Sequence, residues 1–204
     1  MITGWSGSRQ AFADAAGWFV TVARKVDDRW ADPGLGEWDV RALVGHTSRS
    51  LLTVEAYLQV PAERVDVESP AAYYVASRAV ASGPGVAQRG RDAGAALGAD
   101  PAAAVAEIAA RVLPLVDSRD GSELLTSVAG GMRLADYLPT RTFELVVHTL
   151  DLAAALGLAE EPPPLPARAA LGLLAELAVA DGLAGPLLLA ATGRTSLPPG
   201  FSVL

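Results

Sequence analysis

Two histidines and one glutamate carry most of the chemical potential of this chain. His46 and His148 are its only imidazoles, and it has no cysteine. Glu144 precedes His148 by four residues. Residues three and four apart on a helix are neighbours, so this carboxylate and this imidazole share one face. Arg141 and Asp151 lie at −3 and +7 from Glu144, which makes Arg141, Glu144, His148 and Asp151 one polar stripe. Around it stand Leu138, Phe143, Val146, Val147, Leu150 and Leu152. His46 belongs to a different helical segment, with Leu43 and Ser50 at −3 and +4. Two imidazoles and one carboxylate are a catalytic zinc ligand set, with a fourth position left for water or substrate. The same set suits open non-haem iron sites. Each feature has a plain alternative. A glutamate and histidine four apart on a helix is a common pairing, and a lone helical histidine beside leucines is more often packed than ligating. Both histidines nevertheless fall in the middle of amphipathic helices. Ligands in a bundle project inward from facing helices, so His46 can meet the Glu144/His148 pair.

Helices must hold these residues, and the pattern supplies four long ones. In Ser8 to Val26, Phe12, Ala15, Ala16, Phe19, Val20, Ala23 and Val26 form a stripe at three- and four-residue spacing. The loop from Asp32 to Trp38 contains a proline and two glycines. Asp39 is the expected N-cap of a second helix, from Val40 to about Gln59, with Trp38 and Leu43 at hydrophobic-staple spacing. Pro70 to Ala81 reads as a helix with Tyr73 and Tyr74, broken by glycine–proline–glycine at 83–85. Val86 to Leu97 is helical in composition. Asp100 and Pro101 start the next helix, which runs to about Asp117 and is ended or bent by Pro114. Glu123 to Val128 is β-like, with Gly130 and Gly131 as its turn. Leu134 to Leu156 is the fourth long helix, stopped by Gly157. The run EPPPLP, Glu161 to Pro166, marks a boundary. Beyond it, Ala167 to Ala180 reads as a helix, and Leu187 to Ala191 and Phe201 to Leu204 as two short strands. The expected fold is mainly α: a four-helix bundle over 1–158 and a short α/β extension over 159–204, packed on the bundle.

Composition narrows the partners. A length of 204 residues suits one domain with a small appendage, and 51% hydrophobic residues suffice for a core. The net charge of −7 argues against nucleic acid, which needs a clustered basic face. Of the 16 basic residues only Lys25 is lysine, which with the abundant alanine points to a GC-rich genome. The mean hydropathy is +0.30, yet no stretch has the length and purity of a membrane span. The segment MITGWSGSRQAFAD lacks a basic region followed by an apolar run, so a cytoplasmic protein without a signal peptide is expected. Without cysteine there are no disulfides, thiolate ligands or thiol nucleophile of the protein's own.

Two blocks carry a family resemblance. WDVRALVGHTSRSLL, Trp38 to Leu52, resembles the signature of the DinB-like superfamily, and more closely the N-terminal domain of mycothiol-dependent maleylpyruvate isomerases. GGMRLADYLPTRTFELVVHTLDLAAALG, Gly130 to Gly157, is similar to that family's R-x-x-E-x-x-x-H-x-x-D-L pattern on Arg141, Glu144, His148, Asp151 and Leu152. The resemblance covers roughly residues 5 to 158, and the ending PGFSVL is similar to tails in the family. It implies a four-helix bundle whose His46, Glu144 and His148 hold a divalent metal, usually zinc, with nickel or iron as other candidates. It also implies a low-molecular-weight thiol, mycothiol in actinobacterial members. A metal depresses the pKa of a thiol or water in its open position. The implied activity is S-transfer to, or cis–trans isomerisation of, a small electrophile. In that frame Arg141 orients Glu144 or binds a substrate carboxylate, with a structural ion pair to Glu144 or Asp151 as the alternative. Asp151 accepts from a histidine ring or caps backbone. The family's isomerases have a larger C-terminal domain than the 40 or so residues after the proline run, and no catalytic arginine maps onto Arg168 or Arg194.

Other candidates are weaker. Thr47, Ser48 and Ser50 lie near His46 but in no triad order or nucleophile elbow. The glycines of GPGVAQRGRDAG, Gly83 to Gly94, follow no strand and precede no GK[ST], so nucleotide binding is not expected of them. Tyr73 and Tyr74 are read as core or pocket wall, and Trp5, Trp18 and Trp30 as packing anchors. Three functional readings remain: a thiol-dependent metalloenzyme, a non-catalytic metal- or ligand-binding protein, and a metal-free bundle with His46 remote from Glu144. A homodimer is compatible with each.

Overall fold

The computed structural model describes residues 4–81 and 85–204, so Gly83 and Pro84 of the expected break, and Met1 to Thr3, lie outside the described residues. The chain is mainly helical. Its elements in order are α1 (Trp5–Ala23), α2 (Val40–Leu58), α3 (Pro70–Ala81), α4 (Val86–Ala96), α5 (Pro101–Asp117), β1 (Leu124–Ser127), β2 (Gly130–Arg133), α6 (Leu134–Ala155), α7 (Pro164–Ala180) and α8 (Ala184–Ala191), with a 3-10 turn at Arg29–Ala31. The four long helices close a ring: α1 and α2 each pack on both α5 and α6. Phe12, Ala15, Ala16, Phe19, Ala23 and Val26 of the α1 stripe are fully buried. Leu43 and Leu51 of α2, Val105 and Val112 of α5, and Tyr137, Leu138 and Leu145 of α6 complete the core. Each of the larger aliphatic and phenylalanine side chains contributes about 1.5–3 kcal/mol by leaving water, so the apolar seam sets how α2 and α6 face one another.

Capping fixes where α2 and α5 begin. The Asp39 carboxylate accepts from the Ala42 amide at 2.7 Å, and Asp100 accepts from Ala103 at 3.0 Å. The loop before α2 is closed by Gly34 N donating to the Trp38 carbonyl and Val40 N to that of Asp32. It delivers Trp38 in a fixed place at the head of α2.

The small sheet is one antiparallel hairpin, with Leu124 opposite Arg133 and Ser127 opposite Gly130. Its turn is Val128–Ala129, not the glycine pair, and both glycines lie in β2. Gly131 needs its lack of a side chain, because a Cβ there would meet the Arg64 carbonyl at 2.1 Å. Pro114 does not stop α5, which runs on to Asp117.

The tail departs from expectation. Leu187–Ala191 is not a strand but lies in α8, and Phe201–Leu204 has no regular secondary structure. Leucine and alanine are strong helix formers and the run has no β-branched residue. Gly182 and Gly193, both at positive φ, bracket the helix. The β component of the fold is therefore the hairpin before α6. α7 packs on α1 and α6, and its Leu173 and Leu177 are buried.

Candidate metal centre

α2 and α6 pack against each other, and their facing sides bring His46 to the Glu144/His148 pair. One ligand atom from each of these three residues lies within 4.8 Å of the other two. The His46 and His148 rings meet edge to face at 4.8 Å between centroids. His148 Nε2 stands 3.2 Å from Glu144 Oε2. Two donors at bond lengths of about 2.1 Å in a tetrahedral site are about 3.4 Å apart, so this edge already has the right width. A bundle with His46 remote from Glu144 is thereby excluded.

Neighbouring groups fix each donor. Asp151 Oδ2 lies 2.9 Å from His148 Nδ1, so the carboxylate accepts that N–H and leaves Nε2 facing the centre. Of the two roles considered for Asp151, the ring contact is the one found. Tyr74 donates its hydroxyl to Glu144 Oε1 at 2.6 Å. Trp38 lies against His46 at 4.4 Å between ring centroids, and its indole N–H donates to the Ala87 carbonyl at 3.0 Å. A Cβ on Gly90 would meet that indole at 2.4 Å, so glycine lets α4 close over the tryptophan. His46 Nδ1 is buried and has no hydrogen-bond partner among the described residues. An unpaired buried polar atom costs about 1–3 kcal/mol, and such an atom on an imidazole suits a metal ligand.

Arg141 is buried, with 8% of its surface exposed. Its guanidinium lies over the rings of Tyr73 and Tyr137, at 5.2 and 4.9 Å from their centroids, and Nε donates to Thr140 Oγ1 at 3.0 Å. Among the described residues it forms no salt bridge with Glu144 or Asp151, the alternative considered for it. Two of the hydroxyls near His46 are equally committed: Thr47 donates to the Leu43 carbonyl and Ser48 to that of Val44, at 2.7 and 2.8 Å.

The charges are ordered accordingly. Burial disfavours the Glu144 carboxylate, but the hydrogen bond from His148, the Arg141 charge and the Tyr74 hydroxyl outweigh it and hold its pKa at about 2. Burial also works against a charged His148, yet its hydrogen bonds to Asp151 and Glu144 raise its pKa to about 9. His46 has no such support. Burial, followed by the His148 charge, lowers it to about 4, so it is a neutral base at neutral pH. An ionised carboxylate and a neutral imidazole are the forms that bind a metal.

The family model of the mycothiol maleylpyruvate isomerase N-terminal domain matches residues 10–153. The chain belongs to that DinB-like family. The match spans the bundle from α1 into α6 and contains all three candidate ligands, while α7, α8 and the tail lie beyond it. No curated protein and no solved structure matches the chain. No helix among the described residues is long and apolar enough to cross a membrane.

Two contributors to the centre are not assigned to it by the sequence. The pattern marks Tyr74 only as core or pocket wall, and Trp38 only as a staple. Neither belongs to the R-x-x-E-x-x-x-H stripe, and no periodicity links either to a histidine. The glycines of GPGVAQRGRDAG also have a use: Gly90 and Gly94 are where α4 meets Trp38 and α2.

Proposed function

We propose that His46, Glu144 and His148 hold a divalent cation, zinc by donor chemistry, in a thiol-dependent transferase or isomerase. The convergence of these three side chains from two helices carries the reading. Family membership supports a low-molecular-weight thiol as the partner, with mycothiol the first candidate. A divalent metal bound there lowers the pKa of a thiol beside it, which favours the nucleophilic thiolate at neutral pH. The protein has no cysteine, so the sulfur comes wholly from the bound small molecule. The electrophile is a small molecule that accepts sulfur or isomerises through a transient adduct.

The chain's own groups divide the remaining work. Asp151 holds the His148 ring and its tautomer. Trp38 walls off one side of His46. Arg141 acts through Glu144: its buried charge keeps the carboxylate ionised, and its stack on Tyr73 and Tyr137 fixes where that charge sits. The bundle, residues 1–158, is the functional unit, and residues 159–204 brace it through α7.

Metal analysis of protein purified without chelator or nickel resin tests the reading. About one equivalent of zinc is expected, falling below about a tenth in a His46→Ala/His148→Ala variant that keeps its helical circular dichroism. Equal metal content in the two proteins refutes the assignment. Perturbation of the visible spectrum of the cobalt(II)-substituted protein by added thiol separates an enzyme of this kind from a protein that only stores metal.

A further inference from the structure

Glu144 is the one candidate donor able to bind through one oxygen or two. An ion with two imidazoles and a one-oxygen carboxylate keeps a fourth position free, whereas a two-oxygen carboxylate fills it. The choice between these states decides whether a thiol can reach the centre. The two oxygens of Glu144 are not equivalent in this structure. Oε2 faces His148 Nε2 at 3.2 Å, while Oε1 accepts the Tyr74 hydroxyl at 2.6 Å. That separation is in the range of a charge-assisted O–H···O⁻ bond, the stronger class of hydrogen bond.

Tyr74 cannot easily swing away from this contact. It is 9% exposed, and its ring lies edge-on against Tyr73 and Phe143, with centroids 5.6 Å apart in both cases. The Thr140 carbonyl, 3.2 Å from the same hydroxyl, offers the proton a second and longer acceptor. Arg141 is engaged by Thr140, Tyr73 and Tyr137, so it does not compete for Oε1.

We propose that Tyr74 is a positioning residue that reserves Oε1 of Glu144, keeps the carboxylate a one-oxygen donor, and so holds a coordination position open for the thiol. The inference rests on the metal reading above. It differs from a packing role for Tyr74, which would leave the coordination number alone.

The test uses the full chain loaded with cobalt(II), with X-ray absorption to count donors and 2-mercaptoethanol as the thiol probe. In Tyr74→Phe, whose ring still fills the same space, the metal remains bound. Its donor count from the protein rises by about one oxygen, and the thiol binds at least about tenfold more weakly. In a Glu144→Gln background the amide binds through its single oxygen, so adding Tyr74→Phe changes the donor count no further. Thermal unfolding of each variant confirms that it is folded. An unchanged donor count and thiol affinity in folded Tyr74→Phe overturns this inference while leaving the metal reading intact. Failure of the unmodified chain to take up cobalt overturns both.

Discussion

Replacing Gly45 by alanine probes the packing that sets the candidate centre in place. Gly45 lies beside His46 in α2, and α4 crosses directly over it. A Cβ at Gly45 would fall 2.1 Å from the Gly94 nitrogen and 2.5 Å from the Ala93 carbonyl carbon. These are backbone atoms, so no side-chain rotation relieves the overlap. Ordinary contact begins near 3.5 Å, and relieving the 2.1 Å approach requires α4 to retreat by about 1.4 Å. Overpacking of this kind costs about 1–3 kcal/mol. The retreat also strains two bonds between the helices, Arg41 Nε to the Gly94 carbonyl and Trp38 Nε1 to the Ala87 carbonyl, each 3.0 Å. Each contributes about 1 kcal/mol. Alanine gains back about 1 kcal/mol in helix propensity over glycine. The net expectation is a loss of about 2–4 kcal/mol, a fall in melting temperature of roughly 5–15 °C for a chain of this size. Gly17, within α1, is the matched control, because a Cβ there would meet nothing within 4 Å among the described residues. Gly17→Ala should gain about 0.5–1 kcal/mol by the same propensity. Urea unfolding followed by circular dichroism measures both. If Gly45→Ala is as stable as Gly17→Ala, the close approach of α2 and α4 is wrong, and with it the account of how Trp38 is held against His46.

Three further outcomes follow from the charges at the centre. Asp151→Asn should weaken zinc binding about 10–100-fold, measured by chelator competition, because the amide no longer fixes the His148 ring as the carboxylate does. Unchanged affinity would show that Asp151 does not tune the ligand. Zinc binding at pH 7.5 should release about one proton, since His148 titrates at about 9 while His46, at about 4, is already neutral. Calorimetry in buffers of different ionisation enthalpy reads this number, and zero would contradict the assignment of His148. Stability of the metal-free protein should peak near pH 6.5. His148, raised to about 9, stabilises below its unfolded value of 6.5, and this contribution is lost as pH rises through 9. His46, lowered to about 4, stabilises above 6.5 and loses that contribution as pH falls towards 4. A melting temperature that is flat from pH 4 to 9 would count against both environments.

The parts of the fold that follow a period were readable. The α1 stripe and the polar stripe of α6 repeat every three or four residues, and Asp39 and Asp100 announce helix starts by capping chemistry alone. The candidate ligand set was readable for the same reason, because α2 and α6 each offer one inward face. Contacts between segments far apart in sequence leave no such trace. Tyr74 is 70 residues from Glu144, and their hydrogen bond depends on the approach of α3 to α6. The Gly45–Gly94 contact joins two backbones, so its only mark in the sequence is the absence of side chains. The tail misled for a different reason. A short apolar run such as Leu187 to Ala191 has no period to separate helix from strand, and its leucine and alanine content decides the matter locally.

The charge order around His148 bears on what kind of metal site the three candidate donors would make. Without an ion, the imidazolium lies between the Glu144 and Asp151 carboxylates and satisfies both. His148 Nε2 would exchange its proton for a cation of larger charge and the same sign, so the surrounding groups would keep their favourable partners. The bundle does not depend on that exchange for its core, since Phe12, Phe19, Leu43, Leu51, Tyr137 and Leu145 are fully buried. A structural zinc domain works the other way, because its ligands stand in for a core that is too small. Here the hydrophobic seam does the folding, and the three candidate donors are held in place by Trp38, Tyr74 and Asp151. That division of labour supports a metal that serves chemistry rather than one that serves the fold.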